Sequence, residues 1–405
     1  MKVLFLNTFQ KGGAAIAARR LGAALVDQGV EVSYGYFYPE QQSNGRIIGS
    51  GFLNKIKFAI DRLKVFRLVK YSSGLYKFSN GTGAKSLFST DAFKEADLVH
   101  IHWVHFGFLG VEEIVRISTA KPTIWTMHDM WSFTGGCHYS DDCAKYISNC
   151  DGCFYLKDSS KVSFNLLSQK EEVWKSLTLK LVACSQWLAD RAHQSHLFKA
   201  QEISVIGNTL DLNVFKPLEQ TEIRSRLGLK LDSFYVLCGA MDLNDERKGF
   251  NYLIKSLELL MNNGLDFKLL LFGSNAVQVD GIECVSLGHL ANEVDIVNAY
   301  NAADIFVLPS IQDNLPNTVL EAMACGVPVV TFDSGGVIDM VDHKQNGFIA
   351  TNKDSKSLSE GITYFSDKSI RKKAGINARE TIASHFNEAL IANKYISIYK
   401  NQLDR

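Results

Sequence analysis

The chain has 405 residues, 46% of them hydrophobic and 21% charged, enough for two or three globular domains with sizeable cores. Lys and Arg number 43, as do Asp and Glu, so no overall field draws the protein to nucleic acid. No apolar run reaches the roughly 18 residues of a membrane span, and MKVLFLNTF runs into a glycine pair instead of a cleavage site, which predicts a cytoplasmic protein.

Lys2 to Leu6 reads as a short buried strand, and Ala14 to about Gln28 as a helix with Ile16, Leu21 and Leu25 inward. Gly12 and Gly13 make the turn between them, and Val30 to Phe37 forms the next strand. This βαβ opening lacks the G-x-G-x-x-G spacing, which argues against a nicotinamide cofactor. From Asn54 to Lys70, six basic residues (Lys55, Lys57, Arg62, Lys64, Arg67, Lys70) stand against one acid, Asp61, while Ile56, Ala59, Ile60, Leu63 and Phe66 fall on one helical side. Phe58, Val65 and Val69 lie opposite. Two readings stay open: a core-packed helix with solvated charges, or a helix lying on an anionic membrane surface.

The strands Asp97 to Ile101 and Thr123 to Met127 both lead into histidines: His100, His102 and His105 around the first, His128-Asp129 after the second. The pattern alone suits a satisfied core cluster or a metal site equally well. Next, Cys137, Cys143, Cys150 and Cys153 lie within seventeen residues and close on C-x-x-C, so they can supply the four thiolates of a structural zinc site. Disulfides or unligated thiols are the alternatives. Cys184, Cys238, Cys284 and Cys325 stand singly in apolar settings and read as core thiols.

Leu181 to Cys184 is a further strand, with Ser185 the N-cap of the helix after it, and Glu202 to Ile206 closes the first half. A second α/β pattern starts at Phe234 to Gly239 and continues through Asn244 to Gly249, which carries Arg247 and Lys248. Lys268 to Phe272 ends at Gly273-Ser274, and Val285 to Gly288 leads to His289-Leu290. Ile305 to Leu308 is a strand buried on both faces, stopped by Pro309 and Ser310 and followed by the loop Gln312-Asp313-Asn314-Leu315. A helix is predicted from Pro316, the favoured first helical residue, to Cys325, with Val319, Leu320 and Met323 inward and Gly326 and Pro328 ending it. Val327 to Phe332 is then a parallel strand, and the pattern after Phe348 is helical to the end. A ligand of such a unit sits beyond the carboxyl ends of the strands, where Ser310, Asp313, Asn314 and the helix N-terminus lie. Free N–H groups there favour a diphosphate. Glu321, eight residues after Asp313, falls where a carboxylate can accept both hydroxyls of a ribose.

Two acids at this spacing, the second inside EAMACGVPVV, resemble the signature of the retaining glycosyltransferases of family 4, in which the first acid is usually Glu. The resemblance implies the GT-B architecture: two Rossmann-like α/β domains facing a cleft, residues 1–206 for the acceptor and 207–385 for the donor, with a helix over 386–405 crossing back to the first. It implies transfer of a sugar from a nucleotide diphosphosugar to a hydroxyl of a growing, lipid-linked surface glycan, by front-face attack and without a catalytic metal. Lys248 and Arg247 would neutralise the diphosphate, Asp313 and His128 meet the sugar, and Glu321 hold the ribose. Gly12, Gly13, Ser310, Asn314, Leu315 and Thr318 would line the donor, with Gly273, Ser274 and Leu290 near the base. An epimerase or phosphorylase on the same fold, or a binding module without turnover, are the other classes. The segment HDMWSFTGGC with its three later cysteines is similar to that of colanic-acid-type enzymes.

Overall fold

A computed structural model describes residues 1–38, 46–48, 50–83, 87–157, 160–239, 245–273 and 279–404. The chain forms two compact units, Met1–Asn208 with the C-terminal stretch from Ile391, and Thr209–Leu390.

The first unit is built on β1 (Lys2–Asn7), β2 (Glu31–Tyr36), β3 (Arg46–Ile47), β4 (Leu98–Ile101), β5 (Thr123–Met127), β6 (Lys180–Ala183) and β7 (Ile203–Val205). They run in the order β3-β2-β1-β4-β5-β6-β7, every neighbouring pair parallel. The chain winds outward from β1 on one side and then on the other, which leaves a crevice at the carboxyl ends of β1 and β4. Alternate strand residues enter two cores. Leu4, Leu6, Val99, Ile101, Trp125 and Met127 pack on one face of the sheet, while Val3, Phe5, Leu98, Ile124 and Val182 pack on the other. The second face is covered by the Glu388–Leu403 helix through Ile391, Ala392, Tyr395 and Tyr399. Polar groups at this depth need partners. Tyr399 pairs with His100 Nδ1 at 2.7 Å, Thr126 with His100 Nε2 at 2.7 Å, and Tyr395 with Thr126 at 3.0 Å.

The basic segment forms a helix over Gly51–Leu68, and its orientation is set by polar residues. Asp61 and Arg62 are buried as an ion pair, with Arg62 also donating to the carbonyls of Leu75 and Phe78 at 2.5 and 3.2 Å and lying 3.8 Å over the Phe106 ring. Turning the helix over would take Arg62 away from the Leu75 and Phe78 carbonyls and leave those acceptors without their donor. The inner side is therefore Asn54, Asp61, Arg62 and Val65, and the apolar stripe points outward. Ile56, Ile60, Leu63 and Phe66 are 41–56% exposed, and Phe52 before them 73%. Core packing through that stripe does not occur.

The second unit contains β8 (Tyr235–Gly239), β9 (Lys268–Phe272), β10 (Cys284–Ser286), β11 (Ile305–Leu308), β12 (Val329–Phe332) and β13 (Gly347–Ala350). Their order, β10-β9-β8-β11-β12-β13, repeats the winding of the first unit and puts its crevice between β8 and β11. Two expectations are corrected. Gly347–Ala350 is an edge strand paired in register with Val329–Phe332, and the helices begin only at Ser355, because a four-residue apolar run flanked by Asn346 and Thr351 is too short to show either periodicity. Pro316, expected as the first helical residue, is the N-cap with ψ 121°, so the helix is Asn317–Ala324.

Candidate functional site

In the second unit the crevice between β8 and β11 brings two loops together. The turn Glu246–Lys248 follows β8, and residues 309–316 follow β11. Ile311 N–H donates to Arg247 O at 2.9 Å, and the loops approach so closely that a Cβ on Gly249, which has φ +66°, would lie 1.9 Å from Pro309 O. Only a residue without a side chain fits there. Lys248 Nζ then donates to Asp313 Oδ2 at 2.7 Å, Arg247 Nη1 lies 3.3 Å from the same oxygen, and Arg247 Nη1 donates to Gln312 O at 2.9 Å. Burial works against the Asp313 charge, but Lys248 and Arg247 outweigh it and hold the carboxyl below its ordinary value. Asp313 Oδ1 accepts from Asn314 N–H at 3.1 Å, which turns the loop toward the helix start.

A second close approach fixes the other side of this loop. Gly335, φ +66°, sits where a Cβ would meet Asp313 O at 1.7 Å, and Gly336 N–H donates to that carbonyl at 3.0 Å. Ser334 Oγ donates to Ser310 O at 2.7 Å. The Ser310 hydroxyl itself is buried without a hydrogen-bond partner, which is rare in a packed interior. No side chain caps the Asn317–Ala324 helix. Glu321 is buried one turn on, and its Oε2 accepts from Tyr300 OH at 3.0 Å.

In the first unit, the histidines after β4 and β5 form a connected layer. His128, partly exposed, meets His102 Nδ1 through its Nε2 at 3.1 Å, and Cys184 Sγ lies 3.6 Å from its Nδ1. Burial pushes His128 down to about 4 despite the neighbouring Asp129 carboxylate, so the imidazole is neutral at pH 7. His102 and His105 are interior, 2% and 4% exposed. Asp129 joins His105 and His138 in a group of three ligand-type atoms within 4.8 Å. Its hydrogen bonds show a structural knot: Oδ2 accepts from His138 Nδ1 and Trp103 Nε1, both at 2.7 Å, Oδ1 accepts from Trp131 N–H at 2.9 Å, and His138 Nε2 is paired with Ser79 at 2.9 Å. His138 and the Trp131 amide hold Asp129 well below the carboxylate range against the pull of burial.

Comparison with known proteins decides the family. The description Glycosyltransferase Family 4 fits residues 11–214, and the description Glycosyl transferases group 1 fits residues 234–367. The chain belongs to glycosyltransferase family 4. This family-4 enzyme is 24% identical to the putative colanic acid biosynthesis glycosyl transferase WcaC of Escherichia coli K12, over 96% of its own length and 99% of that protein's. It is 26% identical, over 78% of each chain, to the UDP-Gal:alpha-D-GlcNAc-diphosphoundecaprenol alpha-1,3-galactosyltransferase of Escherichia coli. Among solved structures, Anabaena HepE in complex with UDP-glucose superposes with a TM-score of 0.67 at 18% identity, over 99% of this chain and all of that one. That likeness establishes the GT-B fold.

The glycosyltransferase thus gathers Lys248, Arg247, Asp313, Asn314 and Ser310 around one crevice, with Leu315 buried and Thr318 half-buried at the adjoining helix start. Gly273 ends β9 with φ 143°, and Leu290 is half-buried beyond β10. Ser274, and the stretch from Ala240 to Asn244 before Lys248, lie outside the described residues. Gly12, φ 93°, is the N-cap of the Gly13–Asp27 helix at the carboxyl end of β1. Sequence reasoning passed over Tyr300, which steadies Glu321, and read Cys184, which touches His128, only as a core thiol. Each sits on a neighbouring element far away in sequence, so no local pattern points to it.

Proposed function

We propose that this family-4 enzyme moves a sugar from a nucleoside-diphosphate sugar, with retention, onto a hydroxyl of a lipid-linked surface glycan. The observation that carries the reading is the pair of cations at the β8/β11 crevice, held on one buried carboxylate beside an uncapped helix. Bond cleavage leaves negative charge on the departing diphosphate. Lys248 and Arg247, fixed in advance by Asp313 and Gln312 O, stabilise that charge without reorganising, which is the main source of rate in such sites. A lysine ammonium has three N–H donors, and one is committed to Asp313. Ser310 supplies a further unpaired hydroxyl. Glu321, oriented by Tyr300, takes the ribose.

The acceptor class rests on the relatives' chemistry and on the outward stripe of the Gly51–Leu68 helix. Lys55, Lys57, Lys64 and Arg67 are exposed around Ile56, Ile60, Leu63 and Phe66, a composition that lies on an anionic bilayer. Among the described residues no helix is long and apolar enough to cross a membrane.

The test is a panel of UDP- and GDP-sugars followed by thermal unfolding. A bound donor at 100 times its Kd stabilises by about 2.7 kcal/mol. One donor class should raise Tm in the wild type and fail to do so in Lys248→Ala. Conversion of that donor without any acceptor would instead show an epimerase.

A further inference from the structure

We propose that Cys137, Cys143, Cys150 and Cys153 hold a zinc ion, and that this ion braces the segment against which the end of the Gly51–Leu68 helix is fastened. The four side chains line one small cavity together with Gly135, Ser140, Lys145, Tyr146, Phe154 and Ser163. All four are free thiols, Cys137 and Cys150 buried, Cys143 and Cys153 partly exposed at the mouth. A backbone N–H group already points at one sulfur. Gly135 N–H donates to Cys150 Sγ at 3.2 Å, and Leu156 N–H donates to Cys153 O at 3.1 Å, which closes the turn after the last cysteine. A donor of the Gly135 kind stabilises metal-bound thiolate and tunes the site. The loop has left-handed backbone at Cys150, φ 53°, and Gly152, φ 62°.

A buried lysine lies under the same segment. Lys170 is 0% exposed, donates to Thr134 O at 2.9 Å and to Trp131 O, and lies 3.5 Å over the Trp131 ring. Burial holds its amine well below the ordinary lysine range, although Cys150, Cys137 and Asp129 pull the other way. A zinc tetrathiolate carries two negative charges and does so without solvent. The segment also lacks any core of its own: between Gly135 and Lys157 the one regular element is the three-residue turn Lys145–Ile147.

Sulfurs around zinc stand about 3.8 Å apart, as a 2.3 Å bond in a tetrahedron requires. Among the described residues the ligand-type group within 4.8 Å is His105, Asp129 and His138, so the four sulfurs here are more open. Rotation of the two rim side chains, Cys143 and Cys153, inward onto Cys137 and Cys150 is the movement that metal binding calls for. Its consequence reaches the basic helix. Leu156 bridges Val69, Lys157 N–H donates to Leu68 O at 2.9 Å, Lys157 Nζ to Arg67 O at 2.8 Å, and Lys70 N–H to Tyr155 O at 2.9 Å.

The full chain, purified without added metal, should contain about one zinc by elemental analysis. Exchange into cobalt should give the thiolate-to-metal charge-transfer and tetrahedral d–d bands, which Cys143→Ser weakens and Cys143→Ser/Cys153→Ser abolishes. Chelation should raise hydrogen exchange at residues 66–70 and 153–157 together. Absence of zinc with four thiols titrating freely, or two disulfides by mass spectrometry, would overturn the proposal. So would cobalt bands that survive the double serine variant.

Discussion

Asp313 and Glu321 share one sequence signature, yet their surroundings give them different work. Asp313 is a clamp on two cations, so its removal frees Lys248 and Arg247 from their positions; Glu321 is a buried acceptor steadied by one phenol. Lys248→Ala should lower kcat by roughly 10²-fold, the effect of losing one preorganised charge partner in the transition state. Glu321→Ala should chiefly raise the donor KM, since ribose contacts are the same before and during the reaction, and Tyr300→Phe should do so by less. Steady-state kinetics separates these outcomes, and a large kcat loss in Glu321→Ala with unchanged KM would refute the division. The buried histidines predict a pH effect on stability. His128 titrates near 4 in the folded protein because burial disfavours its charge, and His100, His102 and His105 are lowered for the same reason. As pH falls below about 6.5 the unfolded chain takes up protons that the native chain refuses, so stability is full above that point and falls progressively toward pH 4. His128 alone contributes a loss on the order of 3 kcal/mol across that window. Tm should be level in mildly alkaline buffer and drop steadily in acid; a Tm that rose on acidification would contradict the assignment.

At the scale of elements, what holds the site is backbone meeting backbone. Gly335→Ala puts a methyl against Asp313 O and forces a left-handed φ on an L-residue, so it should cost well over 1 kcal/mol and reduce turnover with it. Urea midpoints give the first figure and the transfer assay the second; a neutral Gly335→Ala would show that the two loops are not locked together. The Gly51–Leu68 helix makes a different prediction. Each exposed basic residue near an anionic surface is worth about 1 kcal/mol, so binding should be reversible and weaken with salt. Co-sedimentation with anionic vesicles at low salt, lost on changing Lys55, Lys57, Lys64 and Arg67 to Gln, is the expected result. Equal binding to neutral vesicles, or no loss in the fourfold variant, would remove the membrane from the account. That helix also marks a limit of sequence reading. Its apolar stripe was visible as a stripe, but periodicity carries no sign for inside and outside, and the buried Asp61–Arg62 pair that sets the sign depends on the Leu75 and Phe78 carbonyls and the Phe106 ring.

At the scale of the whole molecule, both sheets were legible because strands buried on two faces are plain apolar runs, such as Leu98–Ile101 and Ile305–Leu308. The strand β13 was not, since Gly347–Ala350 has too few residues to declare a period. The geometry of the candidate site was legible where it lies on one continuous strand, loop and helix, from Ile305 to Ala324, and became less so where partners come from elsewhere, as Tyr300 and Gly335 do. Parallel winding brings those parts to one end of each sheet, which is why β8 and β11, seventy residues apart in the chain, meet as neighbours at the crevice. The central claim is sugar transfer driven by the two cations there. The most direct measurement is single-turnover transfer from the stabilising donor to a lipid-diphosphate-linked acceptor, in the presence of chelator, with the anomeric configuration of the product read by NMR. The account predicts product of the same configuration as the donor, formed by the wild type at full rate and by Lys248→Ala about 10²-fold more slowly. Inverted product, or Lys248→Ala as fast as the wild type, would contradict it.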